Sequence, residues 1–95
     1  MVFTMKKIRK EYRFYGRVQG VGFRYHAYHI AGMLGITGWV RNCYDGSVEA
    51  QAQGNEQALK DFVAMLDKGM YIAIDSVDSK VIPLEEEERG FQILH

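Results

Sequence analysis

Cysteine is all but missing from this chain, with Cys43 standing alone. A lone thiol cannot close an internal disulfide, and it cannot found a cysteine-based metal site. A reducing cytoplasm is the simplest compartment for such a chain. Proline is as scarce, Pro83 being the single example, so turns fall mainly to ten glycines. Net charge is absent, twelve Lys and Arg balancing twelve Asp and Glu. No apolar run exceeds a few residues, far short of the ~20 needed to span a bilayer. Met1 to Lys7 carries two lysines with no apolar stretch behind them, and does not read as a signal peptide.

What is present fits one globular domain over residues 1–95, with 47% hydrophobic and 25% charged residues. A chain of this size buries roughly 60–65% of its unfolded surface, enough for one core. The zero net charge hides an asymmetry. Residues 1–47 hold eight Lys or Arg against Glu11 and Asp45, a net of +6, and residues 48–95 are the mirror image at −6. Such a split either marks an anion-handling half or cancels on folding. The run Glu85–Glu88 predicts a solvated loop.

Periodicity organises the rest. From Ile8 to Tyr15, Ile8, Tyr12 and Phe14 share one side and Arg9, Glu11, Arg13 and Tyr15 the other, with Lys10 breaking the pattern; this predicts a strand. A glycine-rich turn follows at 16–22. Phe23, Ala27, Ile30 and Leu34 then form one helical stripe, stopped by Gly35. Ile36 to Asn42 predicts a second strand, Asp45-Gly46 a hairpin, and the alternation of Val48, Ala50 and Ala52 a third strand. Asn55 suits a helix cap before Leu59, Phe62, Val63 and Leu66. Ile74 to Ile82 and Phe91 to Leu94 predict a fourth strand and a short fifth one at an edge. The order β-α-β-β-α-β is that of a ferredoxin-like α+β sandwich, an antiparallel sheet with both helices on one face. That fold hosts many functions, so function has to be read from a site.

Two segments carry chemistry. In the first, three glycines lie within Gly16-Arg17-Val18-Gln19-Gly20-Val21-Gly22, between a strand and a helix. Glycines let backbone approach a ligand, and successive N–H groups can form an anion nest at the positive end of a helix. Arg24, in the first helical turn, could hold two phosphate oxygens with its planar fork. The turn could also be merely tight and Arg24 a surface residue. It is neither a Walker loop nor a dinucleotide fingerprint. In the second segment, Asn42 ends a strand; its amide can aim a water, or can simply open an Asx turn.

The run Gly16-Arg17-Val18-Gln19-Gly20-Val21-Gly22-Phe23-Arg24 closely resembles the signature of the acylphosphatase family. A second stretch, Gly38-Trp39-Val40-Arg41-Asn42-Cys43-Tyr44-Asp45-Gly46-Ser47-Val48-Glu49 with Gly54 beyond it, resembles the family's other signature at the expected separation. The resemblance covers nearly the whole chain, the closing Phe91-Gln92-Ile93 included. It implies a hydrolase that cleaves acyl phosphates to carboxylate and inorganic phosphate. It further implies that the loop Arg17, Val18, Gln19, Gly20, Val21 and Gly22 cradles phosphate, that Arg24 binds it, and that Asn42 orients the attacking water. A carboxylate is a stable leaving group, so little help from a general acid is needed, and the substrate's own phosphate could take the water's proton. The expected enzyme uses no metal and no cofactor. Its partner is a small-molecule acyl phosphate, with no nucleic acid and no membrane, and it is expected to be a monomer. The alternative is a non-catalytic anion-binding regulatory module of the same fold.

Other signals are weaker. His26 and His29 are too few ligands for a metal and are expected on the helix flank and outer face. Tyr12 and Phe14 read as core; the RNA-recognition module of the same fold needs a strand motif this chain lacks. Arg41 is expected to face solvent. Cys43 stands where the family more often has a hydroxyl residue, and Gly69-Met70-Tyr71 departs from the family's Gly-Pro-Pro-like stretch.

Overall fold

Alternation along the first strand decides which sheet face is covered, because successive side chains leave a strand on opposite sides. In the computed structural model, which describes residues 6–95, Tyr12 and Phe14 lie beneath the helices and Arg9, Glu11 and Arg13 lie on the reverse face. The elements are β1 (Lys7–Arg17), α1 (Phe23–Leu34), β2 (Thr37–Asn42), β3 (Val48–Asn55), α2 (Glu56–Leu66), β4 (Ala73–Ile82) and β5 (Phe91–Ile93). The expectation for Met1 to Lys7 falls largely outside the described residues.

The strands stand in the order β4-β1-β3-β2-β5. The pairs β1–β3, β1–β4 and β2–β3 are antiparallel. The β2–β5 pair is parallel, joining Gly38 to Phe91 and Val40 to Ile93. The sheet is therefore mixed rather than purely antiparallel. The chain leaves β4 at one edge and enters β5 at the other, running alongside β2 in the same direction.

Both helices pack as their stripes require. From α1, Phe23, Ala27, Ile30 and Ala31 are buried, and from α2, Ala58, Leu59, Phe62 and Leu66. The Asn55 side chain accepts a hydrogen bond from Ala58 N at 2.8 Å, which starts α2 at the predicted place. Phe14 meets Phe23 with ring centroids 5.1 Å apart, and Phe62 bridges to Tyr12 and Phe91. Each such buried side chain contributes roughly 1.5–3 kcal/mol. Tyr12 and Phe14 are core residues, as predicted.

The reverse face departs from expectation. Arg9 is only 1% exposed. Its guanidinium donates to both carboxylate oxygens of Glu88, at 2.6 and 3.0 Å, and to the side-chain oxygens of Gln51 and Gln53. Gln53 in turn holds the backbone of Glu85 through both its N–H and its carbonyl. Glu85, Glu86 and Glu87 are exposed, but Glu88 folds down onto the sheet, so the acidic run is not wholly solvated. A buried guanidinium needs a counter-charge, and this one takes it from the crossing segment.

Candidate active site

The loop after β1 is pinned at its base by Val18, whose side chain is 1% exposed. Beyond it, Gly20 and Gly22 have φ of 71° and 77°, a handedness that favours glycine. A Cβ at either position would meet nothing within 4 Å, so their value is backbone conformation, not space. Gly22 caps α1 with no side-chain hydrogen bond, and the first bond of the helix runs from His26 N to Gly22 O at 3.0 Å. Among the described residues, the backbone N–H groups from Val18 to Gly22 donate to no backbone carbonyl. The result is a set of unpartnered donors at the positive end of a twelve-residue helix.

Arg24 stands in the first turn of that helix, half-buried. Its Nη1 lies 3.4 Å from Leu94 O and 3.4 Å from His95 Nδ1. Leu94 is itself held by its N–H, which donates to Val40 O at 2.9 Å and extends the β2–β5 pairing. The guanidinium is thus oriented by residues seventy positions away.

Asn42 ends β2, opposite Val48, and is exposed. The Asx bond of the turn is made by Asp45: its Oδ1 accepts from Ser47 N at 2.9 Å and from Ser47 Oγ. Those bonds, the hydroxyl's first, hold the Asp45 carboxyl below its ordinary pKa, and Arg13 adds a further pull. Among the described residues, the Asx bond of this turn is therefore Asp45's and not Asn42's. It faces a cavity of about 570 Å³ that Arg13, Arg41, Cys43 and His95 also line. The Arg13 guanidinium is pushed above its ordinary pKa, first by attraction to the Cys43 sulfur and then by its hydrogen bond to Glu49. Arg41 is 53% exposed, pairs with Glu49 and lies over the Trp39 ring, so it faces solvent as expected.

Two contacts connect the segments. His95 touches Arg24 and also lines the Asn42 cavity. Gln19 Nε2 donates to Cys43 O at 2.7 Å and to Ser47 O at 2.8 Å, joining the glycine-rich loop to the turn after Asn42. Arg17 is exposed at the end of β1 and pairs through its backbone with Ala73. Sequence reasoning missed His95, Leu94 and the reach of the Gln19 side chain; no local pattern announces contacts of such separation. His26 turns inward to Met65 O at 3.1 Å, while His29 is exposed.

Fold and site together define a ferredoxin-like α+β protein with a nest of donors beside an arginine. The family model for acylphosphatase matches residues 10–93. An acylphosphatase of Clostridium acetobutylicum is 44% identical over 81 residues, covering 84% of this chain and 89% of that one. An acylphosphatase of Thermococcus kodakarensis is 39% identical, covering 95% and 99%. The crystal structure of acylphosphatase from Bacillus subtilis superposes with a TM-score of 0.86 at 34% identity, covering 93% of this chain and 99% of that one. The chain belongs to the acylphosphatase family. Family and fold at this identity support an enzyme that hydrolyses acyl phosphates.

Proposed function

We propose that the nest and Arg24 bind the phosphoryl group of an acyl phosphate while Asn42 aims the water that attacks it. The backbone amides of Val18, Gln19, Gly20, Val21 and Gly22 surround the phosphoryl oxygens, with Arg17 leading from β1 into the loop, and Arg24 adds two charged donors. The water oxygen bonds to phosphorus as the bond from phosphorus to the carboxylate oxygen breaks. The carboxylate leaves with the electron pair of that bond. A phosphoryl oxygen takes the water's proton, so no separate general base is required. Phosphoryl transfer of this kind needs positioning and charge stabilisation more than covalent help. A guanidinium and amides supply the charge term, so the reaction runs without metal or cofactor. The protein acts as a monomer, and its single thiol suits the cytoplasm.

The observation that supports this reading most is the row of unpartnered N–H groups at the start of α1, with Arg24 in the adjoining turn. Benzoyl phosphate hydrolysis tests it. Arg24→Ala is expected to lose at least about 10²–10³-fold in turnover while keeping its far-UV circular dichroism. Asn42→Ala is expected to lower kcat more than it weakens inhibition by inorganic phosphate. Wild-type turnover by Arg24→Ala refutes the assignment. Phosphate binding without any turnover by the wild type favours the anion-binding module instead.

A further inference from the structure

The Gln19 backbone belongs to the glycine-rich loop, while its side chain reaches the turn that follows Asn42. Its amide nitrogen has two hydrogens, and the turn offers an acceptor for each, Cys43 O at 2.7 Å and Ser47 O at 2.8 Å. These two carbonyls close the neck of the β2–β3 turn: Cys43 N donates to Ser47 O at 2.9 Å and Gly46 N to Cys43 O at 3.2 Å. Asn42 is the residue immediately before that neck. Within the turn, Asp45 already fixes Ser47 through two bonds. What the turn cannot set by itself is its position relative to the glycine-rich loop, and the Gln19 amide spans that gap.

We infer that Gln19 is a positioning residue for the hydrolysis, its side chain setting where the Asn42 amide stands over the phosphoryl group held by the loop. This rests on the roles proposed above for Arg24 and Asn42. A reacting geometry tolerates little error, and a displacement of about 1 Å can cost about 10²-fold in rate. The phosphate-binding amides belong to the loop backbone, so loss of the Gln19 side chain leaves them in place. Turnover and phosphate affinity are therefore expected to separate.

The test is kcat and KM for benzoyl phosphate, with inorganic phosphate as inhibitor, in five proteins: wild type, Gln19→Ala, Gln19→Met, Asn42→Ala and the double variant Gln19→Met/Asn42→Ala. Gln19→Met keeps the side-chain volume and removes both donors, so it serves if truncation to alanine unfolds the protein. The expected result is a fall in kcat of about 10–100-fold in the Gln19 variants, with phosphate inhibition changed less than about threefold. The double variant is expected to be no slower than Asn42→Ala, since an absent amide cannot be misplaced. Multiplying losses in the double variant would overturn the inference, as would wild-type kcat in Gln19→Met. So would a phosphate affinity that falls as far as kcat, which would place the side chain's effect on the anion itself. A wild type that does not hydrolyse benzoyl phosphate refutes the underlying site reading. An active wild type with multiplying losses refutes the role of Gln19 alone.

Discussion

Glu88→Ala is the sharpest test of how the reverse face of the sheet is held. The substitution leaves the Arg9 guanidinium, 1% exposed, with only the neutral oxygens of Gln51 and Gln53. Breaking a buried ion pair by removing one partner costs about 3–5 kcal/mol. The Glu88 side chain is 18% exposed, so water reaches part of the vacated space and the lower end applies, about 3 kcal/mol. Chains of this length have a total stability of about 5–14 kcal/mol. The loss is therefore a large fraction of the whole, and corresponds to roughly 12–24 °C in Tm. Urea denaturation followed by circular dichroism reads it, with an unchanged m-value expected. Arg9→Met/Glu88→Leu, which removes both charges together, is expected to recover most of the loss. A Glu88→Ala protein within about 0.5 kcal/mol of wild type would refute the reasoning and reduce the pair to an ordinary surface contact.

Other expectations follow from the same geometry. Burial pushes the Tyr12 hydroxyl up to about 12 from 10.0. The unfolded chain then gives up this proton first, so the contribution is full below about pH 10 and is lost as pH rises through 12, about 3 kcal/mol in all. Urea midpoints of wild type and Tyr12→Phe between pH 8 and 12 check this, and an identical alkaline decline in both would contradict it. Gly38→Ala is expected to cost at least about 3 kcal/mol, because φ is 146° and the added Cβ would lie 1.9 Å from Gln51 O; a thermal melt close to wild type would show that the strands shift apart freely. Chelator is expected to leave benzoyl phosphate turnover unchanged, and restoration by a divalent ion after loss would require a metal at the site.

The sequence carried the elements well because their signals are local. The stripe of Phe23, Ala27 and Ile30, the Asn55 cap and the alternation of Val48, Ala50 and Ala52 all lie within a few residues of one another, and each is found where it was predicted. Boundaries moved by one or two residues, as with β1, which runs on to Arg17. The pairing of β5 was not legible, since nothing in Phe91-Gln92-Ile93 states whether its neighbour runs with it or against it. Nor was the fate of Arg9, whose counter-charge lies 79 positions away in a run that composition alone assigns to solvent. At the site, Arg24 and Asn42 stood out through the family signatures. Their immediate surroundings, the His95 ring and the Gln19 amide, come from contacts that only the folded topology brings together.

The strand order has a consequence for how the molecule forms. The nearest pairs of the central strand β1 join Phe14 to Val48 on one side and Arg17 to Ala73 on the other, spans of 34 and 56 residues. Each span must be closed, with its loss of chain entropy, before the pairing returns any stabilisation. Such mixed α/β topologies fold more slowly than helical bundles of the same size. The glycine-rich loop follows directly on β1, and that strand has both its neighbours only once β4 has been made.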